Sequence, residues 1–146
     1  MSAKENSILI VEDSELSISV LTDILGDTYE LFVARNGHEG IEMAKSKSPD
    51  LILLDIILPR MDGYEVIKVL KNDPETKTIP IVFVTSLNHV DDERKGLQLG
   101  ADDYINKPYD PFIVKLRVAI QMRIVNHLKT IRLLSEEIES WMKEGT

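Results

Sequence analysis

The chain is predicted to fold as a doubly wound α/β sandwich, a five-stranded parallel sheet with helices on both faces. Three observations lead there. Short apolar runs alternate with segments of helical spacing along the chain. Three of the runs are aliphatic without polar alternation, as strands buried on both faces require. Acids, a hydroxyl and a lysine stand where the runs stop, which is where open α/β sheets place their ligands.

Taken in order, the first run, ILIV at 8–11, ends in Glu12 and Asp13, and a helix is expected at 16–25. The second run, 29–34, leads into a helix at 37–47. The third, LILL at 51–54, ends in Asp55 and reads as the most buried strand. In the loop after it, Pro59, Met61, Asp62 and Gly63 prepare a helix at 64–71, with Asp62 as its cap rather than a metal ligand and Gly63 supplying permissive backbone. A fourth run, 79–84, ends in Thr85 and Ser86, and the helix at 90–99 closes on Gly100 as C-cap. The fifth, 103–105, is followed by Asn106, Lys107 and Pro108. From 111 towards 143 the pattern is one unbroken helix, with no Gly/Ser-rich linker before it. Strand–helix alternation of this kind implies right-handed crossovers.

Composition narrows the function. With 146 residues, 43% hydrophobic and 29% charged, the chain suits one folded soluble domain, expected in the cytoplasm. No apolar run approaches the roughly 20 residues of a membrane span, and MSAKENS lacks the apolar core of a secretory signal. Without cysteine, any metal must be held by oxygen or by the three histidines, which favours hard cations. Residues 1–110 carry 11 basic and 21 acidic side chains, so the body repels nucleic acid. Lys115, Arg117, Arg123, Lys129 and Arg132 precede the first acid of the tail, Glu136, but no aromatic residues interleave them as a nucleic-acid helix would require.

Glu12 and Asp13, with Asp55 brought beside them by the fold, would repel one another unless a divalent cation intervened. Mg2+ suits such a site, because it takes one or two carboxylates together with waters and phosphate oxygens. A carboxylate that attacks phosphorus forms an acyl phosphate, and Asp55 is the best-placed nucleophile. Phosphoryl transfer needs charge neutralised around three equatorial oxygens. The metal, the Lys107 ammonium and the Thr85 hydroxyl with nearby N–H groups supply that. Pro108 fixes the backbone beside Lys107, through a cis bond if one forms, and so aims the lysine.

The segments ILIVEDSE, LILLDIILPRMDGYEV, IPIVFVTSLN and GADDYINKPYDP resemble the receiver domains of two-component response regulators, in that family's order and spacing over residues 6–122. The resemblance implies a flavodoxin-like (βα)5 receiver fold at 1–122. It implies that Asp55 is the phosphoacceptor, supplied by a histidine kinase or phosphotransfer protein. It further implies that Asp13, Asp55 and the Ile57 carbonyl ligate Mg2+, with Glu12 acting through water. Thr85 and Tyr104 resemble the switch pair, in which the hydroxyl moves to the phosphate and the ring turns inward. Such a domain catalyses only its own phosphorylation and dephosphorylation and is not otherwise an enzyme.

Two rivals are weighed against this. Haloacid-dehalogenase-type enzymes also use an aspartate nucleophile with Mg2+, but they place a second Asp two residues later, where this chain has Ile57. A receiver that serves purely as an unphosphorylated interaction module would not need the acceptor-site residues, all of which are present. Residues 123–146 extend the last helix as a coiled-coil linker. They resemble helices that join receivers to diguanylate cyclase, phosphodiesterase or kinase modules, so a downstream output domain is expected. Ile124, Leu128, Ile131, Ser135, Ile138 and Met142 recur at spacings of 4, 3, 4, 3 and 4, a heptad seam that predicts a parallel homodimer, and Leu134 and Trp141 widen the stripe. Receivers with GADDY before the last helix often pair through charged residues of the fourth and fifth helices. Arg117 occupies one such position, whereas Ile113 stands where a charge would be expected.

Overall fold

The computed structural model describes residues 4–86 and 90–145. Five strands alternate with five helices: β1 (Ser7–Val11), α1 (Glu15–Leu25), β2 (Glu30–Ala34), α2 (Gly37–Lys47), β3 (Leu51–Asp55), α3 (Gly63–Lys71), β4 (Ile81–Thr85), α4 (Val90–Gln98), β5 (Asp103–Asn106) and α5 (Pro111–Glu144). All pair in parallel in one sheet of order β2-β1-β3-β4-β5. The doubly wound five-stranded expectation therefore holds. Strand order reverses at β1, which has β2 on one side and β3 on the other, so the crevice opens beyond the ends of β1 and β3.

The unbroken aliphatic runs are explained by the period of the strand, which sends successive side chains to opposite faces. Leu9, Val11, Ile52, Leu54, Ile81 and Phe83 pack on one side with Val66, Ile67 and Leu70 of α3. Ile8, Ile10, Leu51, Leu53, Val82 and Val84 pack on the other with Leu21 and Leu25 of α1 and Val114, Val118 and Met122 of α5. Burying one such aliphatic side chain contributes about 1.5–3 kcal/mol, and both faces of β3 and β4 are filled this way.

Local chemistry sets the ends. Ser14 caps α1 by accepting from the Ser17 N–H, Asn36 caps α2, and Asp62 caps α3 by accepting from the Glu65 N–H at 2.9 Å, as expected of it. Gly100 has φ of +108°, and the Gly100 and Ala101 N–H groups return to the Leu97 and Gly96 carbonyls, a C-terminal closure that favours glycine. The largest shift of a strand boundary is in the fourth run: 79–84 yields a strand only from Ile81, because Pro80 has no N–H to donate and contributes only its carbonyl, to Ile52. Pro111 and the Asp110 cap start α5, which runs 34 residues without a break.

Candidate functional site

β1, β3, β4 and β5 end side by side, and each delivers one part of the site. Glu12 and Asp13 follow β1, Asp55 closes β3, Thr85 closes β4, and Lys107 follows β5. The register fixes this: Val11 lies opposite Leu54, Asp55 opposite Val84, and Thr85 opposite Asn106. Carboxylate oxygens of Glu12, Asp13 and Asp55 come within 4.8 Å of one another. Glu12 is fully buried, Asp55 is 4% exposed, and Asp13 faces solvent.

Lys107 reaches across to this cluster. Its ammonium donates to Glu12 Oε2 at 2.9 Å and to Asp55 Oδ2 at 3.1 Å, and its own N–H donates to the Thr85 carbonyl at 2.8 Å. The Lys107–Pro108 bond is cis, as one form of the sequence reading had it. Glu12 is further held by the Ser14 N–H at 3.1 Å, and Asp55 Oδ1 by the Ile57 N–H at 3.1 Å. The loop returns tightly enough that a side chain at Gly63 would lie 2.5 Å from the Asp55 carbonyl oxygen, so only glycine fits there.

The electrostatics follow from burial and like charge. Burial and the neighbouring Glu12 carboxylate push Asp55 up to about 6, with Lys107 pulling the other way. Burial disfavours the Lys107 ammonium, but its bonds to Glu12 and Asp55 outweigh that and raise it above its ordinary value. Three carboxylates face one ammonium, so the cluster keeps an excess of negative charge carried entirely by hard oxygen donors. That donor set fits Mg2+, and Asp62, spent on its helix cap, is not part of it.

Two contacts of the site were missed in the sequence. Tyr109 places its hydroxyl 2.7 Å from that of Ser17 on α1, and burial pushes its phenol up to about 12. Its place directly after Lys-Pro was the available signal. Lys107 was read as a phosphate ligand, and its pairing with Glu12, 95 positions away, was not anticipated. Of the two residues expected to form a switch pair, Thr85 is buried at the end of β4, and the Tyr104 ring already lies inward at 4% exposure. Arg117 is engaged within its own chain, with the Asp103 carboxylate and the Tyr104 carbonyl both at 2.7 Å.

The model of the response regulator receiver domain family matches residues 8–120, and the chain belongs to that family. It is thus a phosphorylation-dependent switch of the two-component type. It is 41% identical over 112 residues to a probable cyclic di-GMP phosphodiesterase of Vibrio cholerae, covering 77% of this chain and 25% of that protein. It is 43% identical over 103 residues to the polar-differentiation response regulator DivK of Brucella anthropi, covering 70% of this chain and 84% of DivK. Among solved structures, the receiver domain of the sensor histidine kinase PA1611 from Pseudomonas aeruginosa, with a magnesium ion coordinated in its active-site cleft, superposes with a TM-score of 0.74 at 26% identity. That match covers 85% of this chain and 99% of the other. The chain spans about a quarter of the length of the first of these relatives. Among the described residues no helix is long and apolar enough to cross a membrane.

Proposed function

We propose that Asp55 accepts the phosphoryl group from a phosphohistidine of a histidine kinase or phosphotransfer protein. A carboxylate oxygen bonds to phosphorus as the donor's N–P bond breaks, and the departing imidazole takes a proton from solvent, leaving an acyl phosphate. The observation that carries this is the setting of Asp55 at a strand end, within reach of Glu12 and Asp13 and bonded to the Lys107 ammonium. Glu12, Asp13, Asp55 and the Ile57 carbonyl would hold Mg2+, which when bound neutralises charge on the transferring phosphoryl oxygens. Lys107 turns from the carboxylates to a second phosphoryl oxygen, and the Thr85 hydroxyl meets the third. The domain acts on no external substrate: it times its own phosphorylation and presents the result on the surface of α4, β5 and α5.

The same reading makes α5 beyond residue 122 a coiled-coil link in a parallel homodimer. It leads to an output module of the diguanylate cyclase, phosphodiesterase or kinase kind, in a cytoplasmic regulator. The test of the core claim is direct. Acetyl phosphate with Mg2+ adds one phosphoryl mass to the wild type and none to Asp55→Asn. An equal addition on the Asn variant removes Asp55 from the role.

A further inference from the structure

The inward position of Tyr104 depends on one residue of α4. The ring packs against Phe83 with centroids 5.5 Å apart, and Phe83 in turn meets Tyr64 edge-on at 5.8 Å. The Tyr104 hydroxyl donates to the Asp92 carbonyl at 2.6 Å, tying the ring to the first half of α4. One turn further along the same face is Gly96. A Cβ built there would lie 1.9 Å from the Tyr104 hydroxyl oxygen, 2.8 Å from Cζ and 2.9 Å from Phe83 Cε2. Phe83 is fully buried between the sheet and α3, so it has little freedom to yield. With any side chain at position 96, α4 in its present place and an inward ring exclude one another.

We propose that Gly96 is the positioning residue of the switch, the notch in α4 that admits the Tyr104 ring and makes the ring and α4 a single two-state element. The inference rests on Thr85 and Tyr104 being the switch pair. It adds that the ring's inward state is available before phosphorylation, because α4 is already shaped for it. Phosphorylation then acts on the balance between α4 positions rather than opening a cavity. The carbonyl of Asp92 and the missing side chain of Gly96 lie at i and i+4, so both constraints are read by one helix face.

The experiment uses the full chain with 3-fluorotyrosine in place of its four tyrosines, the Tyr104 signal being assigned with Tyr104→Phe. In the wild type the Tyr104 fluorine should be shielded from solvent and shift on adding Mg2+ with beryllium fluoride. In Gly96→Ala the shielded population should fall about tenfold or more, a modest bias in a two-state equilibrium. A shielded Tyr104 signal unchanged in Gly96→Ala overturns the proposal. A double-mutant cycle covers the case in which Gly96→Ala does not fold. Placed in a Tyr104→Ala background, the same change should be tolerated and raise the melting temperature, since alanine is the better helix former and Phe83 can relax into the vacated space. Loss of folding in that background as well also overturns it. If beryllium fluoride binds the wild type and leaves Tyr104 unmoved, the switch reading fails, whatever Gly96→Ala does.

Discussion

Asp13 and Asp62 are both acids in loops beside the sheet's ligand edge, yet their surroundings give them different work. Asp13 is exposed and within ligand range of Glu12 and Asp55, whereas Asp62 accepts the Glu65 N–H at the start of α3. Asp13→Ala should therefore weaken Mg2+ binding in a calorimetric titration by about tenfold or more, the loss usual even for outer-shell partners. Asp62→Ala should leave the titration unchanged and cost about 1 kcal/mol of stability, the worth of a cap. Equal losses of affinity from the two would place the metal elsewhere. At this scale the residues on strand ends were legible in sequence, because a run of buried aliphatics that stops at Asp55 or Thr85 announces where the sheet meets solvent. The bonds they make were not. Lys107 reaches Glu12 and Tyr109 reaches Ser17 across 95 and 92 positions, distances that only the closed fold sets. Gly96, too, reads as an unremarked helix residue until Tyr104 is placed against it.

Secondary elements were legible where one principle acted alone. β1 and β3 follow their aliphatic runs to within a residue, while β4 starts later than its run because the proline within it overrides apolar pattern. α5 shows what pattern leaves out. Its far contact with the sheet floor is polar: Asn126 and Asn6 exchange side-chain hydrogen bonds at 2.9 and 3.1 Å, and Lys129 reaches Asp50 at 2.5 Å. The receiver body thus holds the helix as far as Lys129, past residue 122, where the family resemblance ends. Burial raises the Asp50 carboxyl, but Lys129, the Ser7 N–H and Asn6 outweigh it and hold it below its ordinary value. A carboxyl held low in the folded state stabilises above its unfolded value, near 4, and loses that contribution as pH falls through its folded value. Urea unfolding should accordingly show Asp50→Asn less stable than the wild type at pH 7, with the gap closing below about pH 4. A gap that stays constant from pH 7 to 3.5 would mean that the Asp50–Lys129 contact does not hold α5.

At the scale of the whole molecule, the end of α5 projects an exposed apolar stripe beyond the sheet. Every residue from 130 to 145 is exposed, so the last four turns bury no side chain against their own domain. A helix left this way is marginal in water even with good propensity. Ile124, Leu128, Ile131, Ile138 and Met142 are between 49 and 68% exposed along the heptad seam. A second copy in parallel would bury each against its own counterpart, with Ser135 the one polar layer. The alternative contact, a charge network through Arg117, is less available, because that guanidinium is already bonded to Asp103 and the Tyr104 carbonyl within its own chain. Light scattering at micromolar concentration should give twice the 16.6 kDa chain mass. Ile131→Asp with Ile138→Asp is the decisive pair, since Leu128 also lines the cleft beside Pro80 and Val125 on its own domain. Those two changes should return the monomer mass and leave acetyl phosphate labelling of Asp55 intact, while a monomeric wild type, with and without beryllium fluoride, would remove the seam as an interface.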